Sequence, residues 1–189
     1  MSPKDLPDYL KQGDHARLFP VLAVTSKEGR TASIFLACLA CIEELASNLL
    51  GTVGRSVGKR ARVEAFTEVI LQNMPDSRVD RPDGLIVVRI GNTEWRALVE
   101  AKVGAVELTE AQVEKYREIA KHNGLDCVIT ISNQFTSSAK LHPIDGVRRS
   151  RSKIPVYHWS WMYVLTVVDL LLSNDSIADT DQRTLLNEL

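Results

Sequence analysis

The sequence predicts an α/β protein with a central mixed sheet flanked by helices. Two neighbouring apolar runs, GLIVVRI and WRALVEAKV, have the composition of strands and are joined by Gly91-Asn92, a dipeptide typical of hairpin turns. A helix follows, with a capping box formed by Thr109 and Gln112, and it extends to about His122. The β-branched run CVITIS comes next. A helix between two strands is the usual crossover of a parallel pair, so the sheet should contain both orientations.

The segments before the hairpin add an arm, a helix and a strand. Residues 1–30 are polar and rich in turn formers, which predicts an N-terminal arm that packs on the domain. Thr31 is suited to cap a helix over residues 31–50, and this helix is apolar on most sides, as a buried helix would be. Residues 62–71 alternate in the manner of a strand, and a helix is the alternative. One face of the strand carries Glu64, Phe66, Glu68 and Ile70, and the other carries Val63, Ala65, Thr67, Val69 and Leu71.

The segments after the hairpin complete the order α-β-β-β-α-β and extend it. CVITIS is short and apolar throughout, which predicts a strand buried on both faces. A polar loop, a short strand at IPVYHW and a helix over residues 160–172 follow. The sequence therefore predicts a main domain over residues 31–175 and a C-terminal helical segment over residues 176–189. TLLNEL ends at helical spacing without a C-cap, so we expect that the chain is cut from a longer protein.

Length, composition and charge limit the functional classes. The 189 residues and 44% apolar content suit a single globular domain. Lys and Arg number 23 against 24 Asp and Glu, so the net charge of -1 neither indicates nor excludes a polyanionic partner. The sequence shows no signal peptide and no apolar run of about 20 residues, which predicts a cytoplasmic protein without a membrane span. Cys38 and Cys41 lack partners for a zinc site and are expected to be buried and inert.

Three charges stand at the ends of the two hairpin strands: Asp83 before the first, and Glu100 and Lys102 at the end of the second. Side chains at positions i and i+2 of a strand share a face, so Glu100 and Lys102 should point the same way. If the strands pair, Asp83 can converge with Glu100. Two carboxylates at one point are costly unless a divalent cation balances them, and oxygen ligands of this kind suit Mg²⁺ or Mn²⁺.

The segment RPDGLIVV…ALVEAK resembles the motif of the PD-(D/E)XK nucleases, the restriction-endonuclease-like superfamily. Roughly one acidic-x-Lys triplet is expected by chance in such a chain, so the surrounding strands and helix carry the resemblance. It covers about residues 31–132. The resemblance implies a nuclease-like domain in which Asp83 and Glu100 hold magnesium and Lys102 acts at the nucleophilic water. The Ala101 carbonyl would be an additional metal ligand.

A second match concerns the helix after the hairpin. Gln112 and Tyr116 resemble the Q-x-x-x-Y of the RecB-like branch, which would make both residues part of the catalytic site. The capping box explains Gln112 equally well, and core packing explains Tyr116. The family often adds an acid upstream of the Asp, and the sequence leaves its identity open. Glu68 is the first choice, and the alternatives are Glu43, Glu44 and Glu64.

The predicted function is Mg²⁺-dependent hydrolysis of phosphodiester bonds, with DNA as the expected substrate. The alternatives are an inactive nuclease fold that binds nucleic acid or a protein partner, and an accidental triplet in an interaction domain. A homodimer is left open. Trp159 and Trp161 are expected to pack in the core, and stacking on a base is the alternative. Two basic clusters are candidate DNA contacts: Arg55, Lys59, Arg60, Arg62, Arg148, Arg149, Arg151 and Lys153.

Overall fold

The computed structural model describes residues 6–18, 27–74, 81–174, 176–187 and 189. Its six strands form one sheet in the order β1-β2-β3-β4-β5-β6. The strands are β1 (Leu10–His15), β2 (Ala61–Leu71), β3 (Gly84–Ile90), β4 (Thr93–Ala101), β5 (Cys127–Ser132) and β6 (Val156–Ser160). The helices are α1 (Lys27–Cys41), α2 (Glu43–Thr52), α3 (Glu110–His122), α4 (Asp145–Arg149), α5 (Trp161–Ser173) and α6 (Thr180–Asn187).

The sheet is mixed, as predicted. Strands β1 to β4 form antiparallel pairs, and the β3–β4 hairpin closes at Gly91, whose φ of 57° is the left-handed conformation that the turn requires. Strands β5 and β6 are parallel to β4. Helix α3 makes the crossover from β4 to β5, and its predicted capping box is present. The predicted α/β class, with helices around a mixed sheet, is confirmed.

Helices cover both faces of the sheet. On one face, α1, α2 and α5 contribute Leu36, Leu45 and Val168 to a core that also contains Ile86 and Ile129 of the strands. On the other face, α3 and α4 pack over a second core. Residues 10–15, within the predicted arm, pair with β2 as an edge strand. The short helix α4 lies where the sequence predicted only a polar loop.

The prediction of one helix over residues 31–50 was wrong in two respects. The helix begins at Lys27 rather than at Thr31, and it is interrupted at Ile42, whose φ of -116° and ψ of 104° are extended. The resulting 106° bend lets α1 and α2 pack on the same core, with Ile42 fully buried. No single described helix is long and apolar enough to cross a membrane, and only the bent pair reaches that length together. Cys41, at the end of α1, is exposed, contrary to the prediction.

The predicted alternation of β2 fails beyond Glu68. This residue has a φ of 53°, and the pairing with β1 is irregular in the same part of the strand. A bulge of this kind reverses the faces of the residues that follow. Consequently, Val69 and Leu71 join Phe66 in the core on the α3 face instead of sharing a face with Ala65.

Candidate active site

The register of the hairpin brings Asp83 and Glu100 together. Gly84 of β3 pairs with Val99 of β4, so the residue before Gly84 and the residue after Val99 are cross-strand neighbours. The Ala101 backbone amide donates a hydrogen bond to Asp83 Oδ2 at 2.8 Å. The predicted cluster therefore lies at one end of the sheet, which we call the site end; the opposite end, where β3 and β4 join, is the hairpin end.

Gly84 is required by close packing beneath the cluster. A Cβ atom at this position would lie 2.4 Å from Leu36 Cδ1 of α1 and 2.9 Å from the Phe66 carbonyl oxygen of β2. The absence of a side chain lets α1 and β2 approach the start of β3, immediately after Asp83. The Asp-Gly pair thus combines a charged group with the only residue that fits the following position.

Lys102 forms ion pairs with two acids. Its Nζ lies 2.8 Å from Glu100 Oε1 and 3.6 Å from Glu28 Oε2. The exposed fractions of the side chains are 12% for Lys102, 4% for Glu100 and 28% for Glu28, so the pairs are largely shielded from water. Glu28 lies in the first turn of α1, and it brings a third carboxylate to the cluster.

Burial and mutual repulsion act on both carboxyl groups of the hairpin. Burial, followed by the charge of Glu100, raises the pKa of Asp83 to about 7, against the lowering effects of the Ala101 amide and Lys102. The pKa of Glu100 is also raised, mainly by burial, although Lys102 and Tyr116 oppose the shift. In the absence of a further cation, burial and neighbouring negative charge therefore oppose the ionisation of both carboxyl groups.

The environment of Lys102 keeps it charged. Burial alone would lower the pKa of its ammonium group, but the hydrogen bond and charge of Glu100 outweigh burial, together with the charges of Asp83 and Glu28. The pKa of Lys102 is consequently raised above its ordinary value. A protonated lysine donates hydrogen bonds and stabilises negative charge, and it has no lone pair with which to accept a proton.

The two residues of the Q-x-x-x-Y match differ in position. The Gln112 side chain is occupied by the capping box, where its Oε1 accepts from the Thr109 backbone amide at 3.3 Å. Tyr116 is 6% exposed, and its hydroxyl is near enough to Glu100 for that carboxylate, after burial, to raise the pKa of the tyrosine. The structure thus brings Tyr116 to the cluster and uses Gln112 to begin α3.

The acids proposed from the sequence as a third carboxylate lie elsewhere. Glu68 is near the level of Asp83 in β2, because Thr67 pairs with Gly84, but its side chain is exposed. Glu64 forms ion pairs with Arg62 and Arg89. Glu43 and Glu44 occupy the first turn of α2.

The acid that approaches the cluster is Glu28, which the sequence analysis assigned to the arm. The pattern Thr25-x-x-Glu28 matches a capping box and could have extended the predicted helix to include this glutamate. Thr25 itself lies outside the described residues.

The donor atoms at the cluster suit a hard divalent cation. Glu100 is 3% exposed, and within the described ranges its Oε2 has no hydrogen-bond partner. Asp83 is held beside it, and Ala101 follows in the same strand. The described residues contain no group of three or more His, Cys, Asp or Glu side chains placed to hold a metal. Mg²⁺ usually takes only one or two carboxylates from a protein and completes its shell with water and phosphate oxygens.

A row of polar side chains crosses the sheet from this cluster. Glu100 of β4, Thr130 of β5 and His158 of β6 are in register on neighbouring strands. Thr130 and His158 are 0% and 1% exposed. The sequence analysis assigned no role to either residue, because no local motif indicates that they share a row.

Thr130, His142 and His158 form a series of hydrogen bonds whose direction is fixed by the backbone at both ends. The Ile144 amide donates to His142 Nδ1 at 3.2 Å, and His158 Nε2 lies 2.8 Å from the Gln134 carbonyl oxygen. His142 Nε2 therefore donates to Thr130 Oγ1 at 3.1 Å, and that hydroxyl donates to His158 Nδ1 at 2.9 Å. Both imidazoles are neutral in this arrangement. Burial, then His158, lowers the pKa of His142 to about 3, and burial also lowers that of His158.

One member of each basic cluster, Arg62 and Lys153, lies toward the hairpin end. Arg62 pairs across the sheet with Arg89, which is five residues from Gly84, or about 17 Å along the strand. Lys153 precedes Pro155, whose carbonyl accepts from Val128 near the start of β5. Arg148 and Arg149 form ion pairs with Asp145 within α4. Arg62 and Lys153 are therefore remote from the carboxylates, whereas Arg148 is near enough to His142 for its charge, after burial, to lower the pKa of that histidine.

The chain matches no protein-family model, and no curated protein is detectably similar to it in sequence. The case for an activity rests on the geometry of the site and on the motif that the residues form.

Proposed function

We propose that the protein is a Mg²⁺- or Mn²⁺-dependent nuclease of the PD-(D/E)XK type that hydrolyses phosphodiester bonds of DNA. The observation that carries the proposal is the joining of Asp83 and Glu100 at the site end, with Lys102 ion-paired to Glu100. The element order of α1, the β2–β4 meander, α3 and β5 supports a restriction-endonuclease-like core.

Electrostatics supports a cation at this position. The buried Glu100, the partly buried Asp83 and the nearby Glu28 face a single ammonium group, and burial together with the neighbouring negative charges raises the pKa values of Asp83 and Glu100. A divalent cation beside the unpartnered Oε2 of Glu100 would favour the ionised forms of both groups. Asp83 and Glu100 would hold it, with the Ala101 carbonyl as a third oxygen ligand.

The other residues of the site have separate roles in the proposed reaction. A bound Mg²⁺ would polarise the phosphate and lower the pKa of a water molecule. Lys102 orients the attacking water and offsets the negative charge that grows on the phosphate, because its raised pKa keeps it protonated. Glu28 holds the Lys102 ammonium in place. Tyr116, beside Glu100, positions that carboxylate from the α3 side.

DNA contacts at the basic clusters require an extended substrate. The Arg62 end of the sheet lies about 17 Å from Gly84 along β3, which corresponds to about five base pairs of duplex. We propose that Arg62 and Lys153 bind phosphates remote from the cleaved bond and that further phosphate contacts come from Arg55, Lys59, Arg60, Arg148, Arg149 and Arg151. Their removal should then weaken binding in a salt-dependent manner and leave the rate at saturation unchanged.

The test is cleavage of plasmid, linear and single-stranded DNA and of RNA, in Mg²⁺ or Mn²⁺ and with a chelator. The wild type should cleave at least one substrate, and the chelator should stop it. Asp83→Asn should abolish cleavage because it removes an anionic ligand. Asp126→Asn is the matched control, since Asp126 also accepts a backbone hydrogen bond, from Arg96 at 2.7 Å, but lies at the opposite end of β5.

Equal cleavage by the wild type and Asp83→Asn would identify a contaminant and refute the proposal. If neither protein cleaves any substrate but the wild type binds DNA with a steep salt dependence, the inactive nucleic-acid-binding fold replaces it. If the protein neither cleaves nor binds nucleic acid, the remaining alternative is an interaction domain in which the triplet is accidental.

A further inference from the structure

A cavity of about 180 Å³ opens beside the backbone of Lys102. Its walls come from five separate parts of the chain that meet at the site end: α1, the segment after β4, the segment after β5, the start of α5, and Leu189. The lining includes Thr31, Val103, Gly104, Asn133, Trp161 and Leu165. None of these residues takes part in the ion-paired cluster, so the cavity is a separate feature at the same edge of the sheet.

The Trp161 indole is held in one orientation at the wall. Its Nε1 donates to the Lys102 carbonyl oxygen at 2.8 Å, and its ring lies 5.6 Å from the Phe35 ring in an edge-to-face arrangement. The side chain is only partly buried. An aromatic ring fixed in this way is a stacking surface that loses little conformational entropy when a flat ligand binds.

The lining of the cavity also includes a polar side chain. Asn133 Nδ2 donates to the Gly104 carbonyl oxygen at 2.7 Å, which fixes the amide plane. Within the described ranges, no other hydrogen bond involves the Asn133 side chain. Its amide oxygen and second N–H can therefore pair with the edge of a ligand that carries both donors and acceptors.

The surroundings extend this surface along the site end. A second cavity of about 230 Å³ is lined by residues 104–107 with Asn133 and Gln134, so the two cavities share Gly104 and Asn133. Phe135 and Met162, close in sequence to Asn133 and Trp161, are 71% and 69% exposed. Exposed apolar side chains beside a cavity are typical of a binding surface.

We propose that the cavity at Trp161 binds one unstacked base of a single-stranded DNA substrate, immediately beside the bond that is hydrolysed. The inference rests on the proposed nuclease function and specifies its substrate. Val103 adjoins Lys102, so the wall begins about 3.8 Å along the chain from a catalytic residue. A base stacked and paired in a duplex cannot enter, and single strands or unpaired ends are therefore preferred.

The experiment compares single-stranded oligonucleotides that differ by one base. After the cleaved bond is mapped on an intact strand, an abasic residue is placed on each side of it in turn. At one of the two positions, loss of the base should raise KM by about 5- to 150-fold, the range expected for removing one base–aromatic stack. Binding to the Asp83→Asn protein, measured by fluorescence anisotropy, should weaken by a similar factor.

Variants assign the effect to the indole. Trp161→Ala should weaken binding of the intact strand by a similar factor and leave binding of the abasic strand nearly unchanged, because the stack is already absent. Trp161→Phe should restore most of the affinity. Trp95→Phe is the matched control, since Trp95 pairs with Val88 near the hairpin end. Circular dichroism verifies folding, and the abasic comparison on the wild type needs no variant.

The inference is overturned if an abasic residue changes KM and Kd by less than twofold at both positions, or if Trp161→Ala weakens the intact and abasic strands equally. If the wild type cleaves nothing, the nuclease proposal fails by itself. The binding measurement then tests whether the cavity binds a base, with the abasic residue moved through each position of the strand. Absence of binding, or equal affinity for all these strands, would refute the base site.

Discussion

The Asp83 carboxylate accepts a hydrogen bond from the Ala101 amide at 2.8 Å, and this contact holds the residue that precedes β3 against the last residue of β4. It keeps Asp83 beside Glu100 although both groups are desolvated and repel each other. The amide favours the ionised form of Asp83, but burial and Glu100 outweigh it. Without a metal, burial and repulsion of the two ionised carboxyl groups destabilise the site, and protonation or a bound cation should reduce this destabilisation.

The first prediction concerns the pH dependence of stability without metal. The pKa of Asp83 is raised from 3.8 to about 7, so between these values the folded protein holds a proton that the unfolded chain releases. This group therefore stabilises the fold at low pH, and its contribution is lost as the pH rises through about 7. The Asp83→Asn variant has no carboxyl group to ionise at this position, so its free energy of unfolding should not fall in this way. At pH 8 the variant should be more stable than the wild type by on the order of a few kcal/mol.

The measurement is urea denaturation of both proteins from pH 4 to pH 8 in a chelator. The difference between the two proteins is the quantity to follow, because His142 and His158 contribute with the opposite sign. Their pKa values are lowered, so their contribution is lost as the pH falls below about 6.5. A difference that is constant across the range would contradict the prediction, and Asp126→Asn provides the control for an exposed aspartate.

The second prediction concerns metal binding to the folded protein. Mg²⁺ or Mn²⁺ should raise the melting temperature of the wild type at pH 8, because a ligand that binds only the folded state stabilises it by about 2.7 kcal/mol at 100 times its Kd. Asp83→Asn and Glu100→Gln should lose this response. Lys102→Met should retain it while cleavage slows, since an ammonium group is not a ligand. An undiminished response in Glu100→Gln would place the metal elsewhere.

The third prediction distinguishes Glu28 from Glu68. Glu28 lies 3.6 Å from the Lys102 ammonium and helps to raise its pKa, so Glu28→Gln should lower that pKa and move the alkaline limb of the pH–rate profile downward. Glu68→Gln should leave the profile unchanged because the Glu68 side chain is exposed. Both variants replace a carboxylate by an amide of the same shape. If Glu68→Gln moves the alkaline limb and Glu28→Gln does not, Glu68 is the third acid of the site, as the sequence analysis expected.

The fourth prediction concerns the buried hydroxyl that joins the two histidines. Thr130→Val keeps the shape of the side chain but leaves His142 Nε2 without an acceptor and His158 Nδ1 without a donor. We expect a loss of about 2–4 kcal/mol in the free energy of unfolding, from two buried polar groups. Thr166→Val, on the exposed face of α5, is the control. Equal stabilities of the two variants would show that the hydrogen-bond series contributes nothing.

Local sequence features determined much of the fold. Periodicity and turn chemistry identified the β3–β4 hairpin, the capped helix α3 and the buried strand β5, because each depends on neighbouring residues. The spacing of Glu100 and Lys102 placed them on one side of a strand, and the hairpin brought Asp83 to them. These signals were sufficient to predict the carboxylate pair.

Only the tertiary structure decided which more distant residues join that pair. Glu28 reaches Lys102 because α1 begins earlier than Thr31 and packs over Gly84, and neither fact is encoded in the spacing of the acids. The bulge at Glu68 and the bend at Ile42 arise where packing overrides local periodicity. Likewise, the cavity at Trp161 combines five segments far apart in the chain, and strand pairing together with helix packing sets their distances.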